Sequence, residues 1–168
     1  MEGHEVSEVA CSNCGGLIDE SDWFCPHCGA IFKDGVACMN HPGVAARAVC
    51  VICGVPYCEE CGREVGVVFL CAVHSQLEIL EGMARVYGTT DNVQAQYVAS
   101  CFEQAGLHPF PYSRRYNPGA DVAPFMAYRQ FGGYILEEIK ILLPFNEVEK
   151  AQKIVSELLP GGEGSGIV

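Results

Sequence analysis

The residues with the clearest chemistry are the cysteines, and they are unevenly spread. Ten of the eleven lie between Cys11 and Cys71, and only Cys101 falls beyond. With two histidines they form pairs separated by two residues: Cys11 and Cys14, Cys25 and Cys28, Cys38 and His41, Cys50 and Cys53, Cys58 and Cys61, Cys71 and His74. A pair at this spacing puts two metal donors on one tight turn, and two pairs complete the tetrahedron that zinc prefers. Six pairs thus provide for three zinc ions. Secreted disulfides are the competing chemistry. The first eight residues are acidic and polar, with neither the basic nor the apolar region of a signal peptide. The longest apolar stretch, residues 65–73, is about half of what a membrane span needs. The expectation is a soluble cytoplasmic chain whose thiols stay reduced and hold metal.

The first two pairs read Cys11-Ser-Asn-Cys14-Gly15 and, ten residues on, Cys25-Pro-His-Cys28-Gly29. Each glycine allows the positive φ that such a turn requires. Residues 9–33 therefore look like a zinc ribbon. Trp23, Phe24, Ile31 and Phe32 flank the second pair and are expected to form its apolar cover. His27, between two ligands, is expected to point outward. A redox role for the C-x-x-C pairs would need a βαβ setting, which this stretch lacks.

The remaining four pairs are separated by eight, four and nine residues. The four-residue gap makes it awkward for the Cys50/Cys53 and Cys58/Cys61 pairs to share one metal. Two pairings remain. In one, Cys38, His41, Cys58 and Cys61 hold one ion while Cys50, Cys53, Cys71 and His74 hold the other. In the second, consecutive pairs share an ion. The order C-x2-H, then C-x2-C-x4-C-x2-C, then a pair ending in His, resembles a B-box zinc finger over residues 35–75. That resemblance implies cross-bracing, the first of the two pairings, and a module for protein–protein contacts. It departs from the family at Cys71-x2-His74, where two closely spaced histidines are usual. Every one of the three sites has four protein ligands and leaves no position for water or substrate, so the zinc is read as structural.

Charge narrows the partners. The formal net charge is −11 with all thiols neutral. Ten thiolates and three Zn²⁺ take it to about −15. Residues 1–75 hold ten Asp and Glu against Lys33, Arg47 and Arg63. Nucleic-acid affinity comes largely from basic side chains on phosphates, so an acidic zinc module suits protein partners and not DNA or RNA.

These sites must be carried by local turns, whereas the C-terminal half must fold around an ordinary core. Residues 76–82 are a linker, read as a short helical connector that Ser75 could cap. Met83 to Gly88 suits a strand. Asp91 and Gln94 form a capping box for a helix with Val93, Tyr97, Val98, Cys101 and Phe102 on one face, stopped by Gly106. Leu107 to Tyr112 contains prolines and suits an edge strand. A loop extends from about residue 113 to 133, and Tyr134 to Leu143 is a strand. Asn146 and Glu149 form a second capping box, opening a helix with Val148, Ala151, Ile154, Val155 and Leu158 as its stripe. Residues 161–168 are a Gly-rich tail. The result is an α+β sandwich, with helices on one face of a sheet. Residues 83–160, through Ala84-Arg-Val-Tyr87, Thr90-Asp91, the Ala105–Leu107 turn and Leu143-Pro144, resemble a small bacterial family of prokaryotic signal-transducing proteins. That resemblance implies a ferredoxin-like or PII-like fold and a signalling role.

No catalytic constellation is evident. Cys101 is read as an inert buried thiol, and His108 has no evident acid/base partner in sequence. Arg114, Arg115 and Arg129 lie in a loop rich in Tyr and Phe, a composition that suits a protein interface or an anion clamp. The leading expectation is a non-enzymatic zinc-binding adaptor or regulatory protein that mediates protein–protein interactions in signalling. The alternatives are a small-anion sensor working through the Arg loop and a ubiquitin-ligase-like accessory module.

Overall fold

The computed structural model describes residues 8–113 and 138–159. Arg114, Arg115 and Arg129, the first part of the strand expected from Tyr134, and the tail at 161–168 lie outside the described residues. The chain separates into two compact units, Met1–Glu78 and Ile79–Val168. No helix of the described residues is long and apolar enough to cross a membrane.

The first unit consists of short antiparallel hairpins: β1 (Glu8–Ala10) with β2 (Leu17–Asp19), β3 (Ala48–Val49) with β4 (Pro56–Tyr57), and β5 (Gly62–Val65) with β6 (Val68–Cys71). Isolated two-stranded hairpins are marginal in water, and these are shorter than most. Val49 and Leu70 are fully buried and Phe69 nearly so, giving the unit an apolar centre where β3 meets β6. The ribbon is fastened to this centre by backbone. Val49 N–H donates to the Gly29 carbonyl at 2.8 Å, and Phe69 N–H donates to the Cys28 carbonyl at 3.1 Å.

In the second unit, β7 (Ile79–Leu80), β8 (Met83–Thr89), β10 (Ile139–Leu143) and β9 (Phe110–Tyr112) form one antiparallel sheet in that spatial order. Helix α1 (Asn92–Gln104) joins β8 to β9, and α2 (Val148–Leu158) follows β10. Both β8 and β9 run antiparallel to the β10 strand between them, which makes β8–α1–β9 a split β-α-β unit. Val98 and Phe102 of α1, Ile141 and Leu143 of β10, and Ala151 of α2 share one core with Leu107. The ladder between β8 and β10 slips at Ile141/Leu142, so Val86 has no partner of its own. Such a bulge turns successive side chains toward one side, and both Val86 and Tyr87 pack on the core. Pro111 sits on β9, which among the described residues pairs with β10 alone; an edge strand can spare the missing N–H.

Several local expectations are corrected. The connector at 76–82 is not a helix. A single 3-10 turn covers His74–Gln76, after which Ile79 and Leu80 pair with Ala84 and Met83. Glu81 and Gly82 between them have φ of 49° and 75°, the geometry of a tight hairpin turn that matches strand twist. Three apolar residues, Leu77, Ile79 and Leu80, are too few for periodicity to separate helix from strand. On α1 the buried stripe is Ala95, Val98, Ala99 and Phe102, while Val93 is 75% and Tyr97 57% exposed. Small alanines define the true face, and larger side chains drew the expected one off by part of a turn. Cys101 is only half-buried.

The caps also differ in detail. Asp91 accepts from the amides of Val93 and Gln94 at 2.8 and 3.2 Å. Gln94 does not reach back directly; it accepts from the Thr89 hydroxyl, which itself accepts the Asp91 amide. At the other end of α1, Gly106 N–H donates to Glu103 O and Leu107 N–H to Phe102 O, both at 2.9 Å. This is a Schellman closure, with Leu107 and Phe102 in apolar contact. The capping box expected at Asn146 and Glu149 does not form. Residues Phe145–Glu147 make a 3-10 turn, and α2 starts without a side-chain cap.

Candidate metal centres

Three turns in the first unit are built alike. Gly15, Gly29 and Gly54 donate their amides to the carbonyls of Cys11, Cys25 and Cys50, each at 2.8 Å. Their φ angles are 75°, 84° and 68°, a left-handed backbone that a side chain disfavours. The closed turn brings both sulfurs of each pair to one side. The amide of each first cysteine is taken up by the carbonyl of Gly16, Ala30 or Val55, at 2.8 to 2.9 Å. The third of these turns, at Cys50-x2-Cys53-Gly54, carries the same glycine signal in sequence as the first two.

The ligand atoms gather into three groups: Cys11, Cys14, Cys25 and Cys28; Cys38, His41, Cys58 and Cys61; and Cys50, Cys53, Cys71 and His74. Within each group the donor atoms all lie within 4.8 Å of one another. With Zn–S near 2.3 Å, a tetrahedron needs sulfur–sulfur edges of about 3.8 Å and sulfur–nitrogen edges of about 3.5 Å. In the ribbon, Cys11 to Cys28 is 3.9 Å and Cys14 to Cys25 is 3.7 Å. His41 Nδ1 lies 3.9, 3.3 and 3.4 Å from the sulfurs of Cys38, Cys58 and Cys61. His74 Nδ1 lies 3.4 Å from both Cys50 and Cys71. The sulfur separations far exceed a disulfide of about 2.05 Å, and the cysteines are free thiols. Each group can hold one zinc ion through four protein atoms.

The second and third groups interleave along the chain, which is the cross-braced pairing. The hairpins explain why. Gly54, Val55 and β4 intervene between Cys53, at the β3–β4 turn, and Cys58, at the opposite end of that hairpin, so the two pairs face different centres. In the next hairpin Gly62 stands opposite Cys71, and Ala72 N–H donates to the Cys61 carbonyl at 2.9 Å. Cys61 and Cys71 are therefore one register position apart. Side chains alternate faces along a strand, which sends these two sulfurs to opposite sides of the ladder. The Cys71-x2-His74 pair, where the sequence leaves the B-box pattern, completes the third group through the 3-10 turn at His74–Gln76. His74 is buried.

Donors to the sulfurs make up the next layer. Asn13 Nδ2 donates to Cys28 at 3.4 Å, Asn40 Nδ2 to Cys61 at 3.3 Å, and Gly16 N–H to Cys14 at 3.5 Å. Burial pushes the Cys11 thiol up, but the amides of Cys14 and Asn13, together with side-chain bonds from Cys25 and Cys14, outweigh it and bring the group down to about 7. Burial dominates at Cys25, which is pushed up to about 12. In the third group the bond from Cys53, aided by His74, holds Cys50 down to about 3 against burial. Cys53, the donor in that bond, is pushed up. Thiols that are protonated without metal must give up those protons to zinc.

Two neighbours of the ligands fall elsewhere than their sequence position suggested. Around the ribbon cluster the apolar cover is Ile18 and Ala30, while Trp23 and Phe32 are exposed. Phe24 bridges Ile31 in antiparallel fashion, so the alternation turns positions 23 and 32 away from 24 and 31. His27 is exposed, as expected; its Nε2 lies 2.9 Å from the Leu17 carbonyl, tying the second turn to β2.

In the second unit, His108 does have a carboxylate partner. Glu147 Oε2 accepts the His108 amide at 2.7 Å, and Oε1 lies 2.6 Å from its ring Nδ1. The residues are thirty-nine apart, so no local pattern could reveal the pair, and Glu147 used in this way cannot cap α2. The ring is 82% exposed and Glu147 13%, which makes the contact a clamp between the α1–β9 loop and the start of α2.

No curated protein and no solved structure matches the chain. Residues 7–32, which carry the first cluster, match the zinc-ribbon domain family.

Proposed function

We propose that this protein is a non-enzymatic, cytoplasmic zinc-scaffolded adaptor whose metal-bearing unit makes contacts with protein partners, and whose second unit belongs to a signalling pathway. The observation that carries the reading is the closure of all three clusters: each offers four protein donors to one ion, and a catalytic zinc keeps a position open. The acidic balance, with a net charge of −11, argues against phosphate-bearing partners. The interleaved second and third groups support a B-box-like module, a type that serves protein contact. Among the described residues the order β8–α1–β9–β10–α2 matches the first five elements of a β-α-β-β-α-β arrangement, with β7 paired at the outer edge of β8. That supports the ferredoxin-like, signal-transducing resemblance of the second unit.

The test is affinity capture with the full chain, loaded with zinc and then stripped by a chelator. Partners retained by the loaded chain and lost from the stripped one are expected. The same captured proteins in both states would sink the reading.

A further inference from the structure

The ribbon holds two aromatic side chains on its surface that its metal cluster does not use. The amide of Phe32 donates to the Trp23 carbonyl at 2.9 Å, one position outside the Phe24–Ile31 bridge. Trp23 and Phe32 thus stand across from one another, and cross-strand partners share a face. Trp23 is 38% exposed and Phe32 44%. The Trp23 ring tilts back against the neighbouring Phe24, with centroids 4.7 Å apart and planes at 57°.

The charge around this pair is predominantly negative. Residues 8–34 contain Glu8, Asp19, Glu20, Asp22 and Asp34 against Lys33 alone. A four-thiolate zinc site adds about two further negative charges. Asp22 precedes Trp23, Asp34 follows Phe32 by two residues, and both are exposed. The turn that carries the first of them is held by its own bonds. Asp19 accepts from the amide and hydroxyl of Ser21 at 2.8 and 2.6 Å, and Asp22 accepts from the Asp19 amide at 3.1 Å. Ring faces attract ammonium and guanidinium groups, and a surface of one sign concentrates its counter-charge. An acidic or purely apolar segment would gain less here than a basic one.

We propose that Trp23 and Phe32, flanked in sequence by Asp22 and Asp34, form a docking site for a lysine- or arginine-bearing segment of a protein partner. The proposal rests on the protein-contact reading of the zinc unit and names the chemistry of the partner. The basic side chain lies against the rings, and the carboxylates accept its N–H groups.

Trp23 is the single tryptophan of the chain, so its emission reports on this site. The zinc-loaded full chain is titrated with an octapeptide alternating arginine and alanine, and with the same peptide carrying uncharged citrulline for arginine. A saturable change in emission is expected with the arginine peptide, weakening with salt, and none with the citrulline peptide. Phe32→Ala weakens binding by about two- to fivefold. The double change Asp22→Asn and Asp34→Asn, which alters charge with little change of shape, does the same. Unaltered zinc content in each variant shows that the ribbon is intact. An equal response to both peptides, no response to either, or unchanged affinity in both variants would overturn the site. So would a concentration-dependent dimer that Phe32→Ala abolishes, which would make a second copy the occupant. Capture of the same proteins by wild-type and Phe32→Ala chains would overturn the site and leave the adaptor reading standing. Arginine-peptide binding together with zinc-independent capture would sink the adaptor reading alone.

Discussion

At the scale of single residues, the donors around the sulfurs matter as much as the sulfurs. A group of thiolates carries more negative charge than one Zn²⁺ offsets, and hydrogen bonds to sulfur relieve the excess. Asn13 and Asn40 occupy equivalent places, each just before the second ligand of its pair. Each reaches a sulfur of the other pair in the same cluster, Cys28 or Cys61, and so joins two distant turns around one ion. Loss of such a contact commonly lowers metal affinity by a factor of about ten or more. Asn13→Ala should weaken zinc binding at the ribbon about tenfold, and Asn40→Ala should do the same at the second cluster, with the other clusters unaffected. Competition against a chromophoric chelator measures this. Replacement by Asp, which brings a carboxylate against a thiolate, should be worse than Ala. Equal affinities for wild type and both alanine variants would show that the sulfurs need no help from these amides.

At the scale of elements, the turns decide how the ribbon meets the rest of its unit. A Cβ at Gly29 would lie 2.0 Å from the Val49 carbonyl oxygen, whereas one at Gly15 meets nothing within 4 Å. Both glycines have positive φ. Gly15→Ala therefore isolates the conformational cost, about 1 kcal/mol. Gly29→Ala adds a backbone clash and disturbs the bond from Val49, so it should cost about 2 kcal/mol more. Denaturant titration of the zinc-loaded variants reads the difference; equal losses would mean that the seam at Gly29 yields without strain. The same contrast marks what was legible in advance. The C-x2-C-G turns were plain in sequence because ligand type, spacing and glycine are all local. Cross-bracing could not be derived from spacing alone, since it depends on which face of β5 and β6 Cys61 and Cys71 occupy. The exposure of Trp23 and Phe32 was hidden for a similar reason: bulk suggested a cover, but alternation across the Phe24–Ile31 bridge sets the side. His108 and Glu147, thirty-nine residues apart, come together only when the second unit folds.

At the scale of the whole molecule, the two units are stabilised by different means. Unit Ile79–Val168 has a continuous apolar core, with Val98, Phe102, Ile141, Leu143 and Ala151 nearly or wholly buried. Unit Met1–Glu78 has strands of two to four residues, and many of its buried side chains are cysteines. Without metal those sulfurs repel one another once ionised or bury polar hydrogens if not, and zinc binding supplies much of the folding free energy of such modules. The units should therefore respond differently to a strong chelator. Native mass spectrometry should find three zinc ions per chain before treatment. After it, amide protection should vanish at Val49, Phe69 and Leu70 and persist at Ile141, Leu142 and Leu143. Because Cys61 and Cys71 are carried by one hairpin and serve different ions, the second and third zincs should leave together, without a stable one-zinc state of this hairpin. Hydrogen exchange followed through the titration separates the alternatives. Loss of protection in both units would make the second depend on the metal, and stepwise release with the β5–β6 hairpin still protected would contradict the cross-braced coupling.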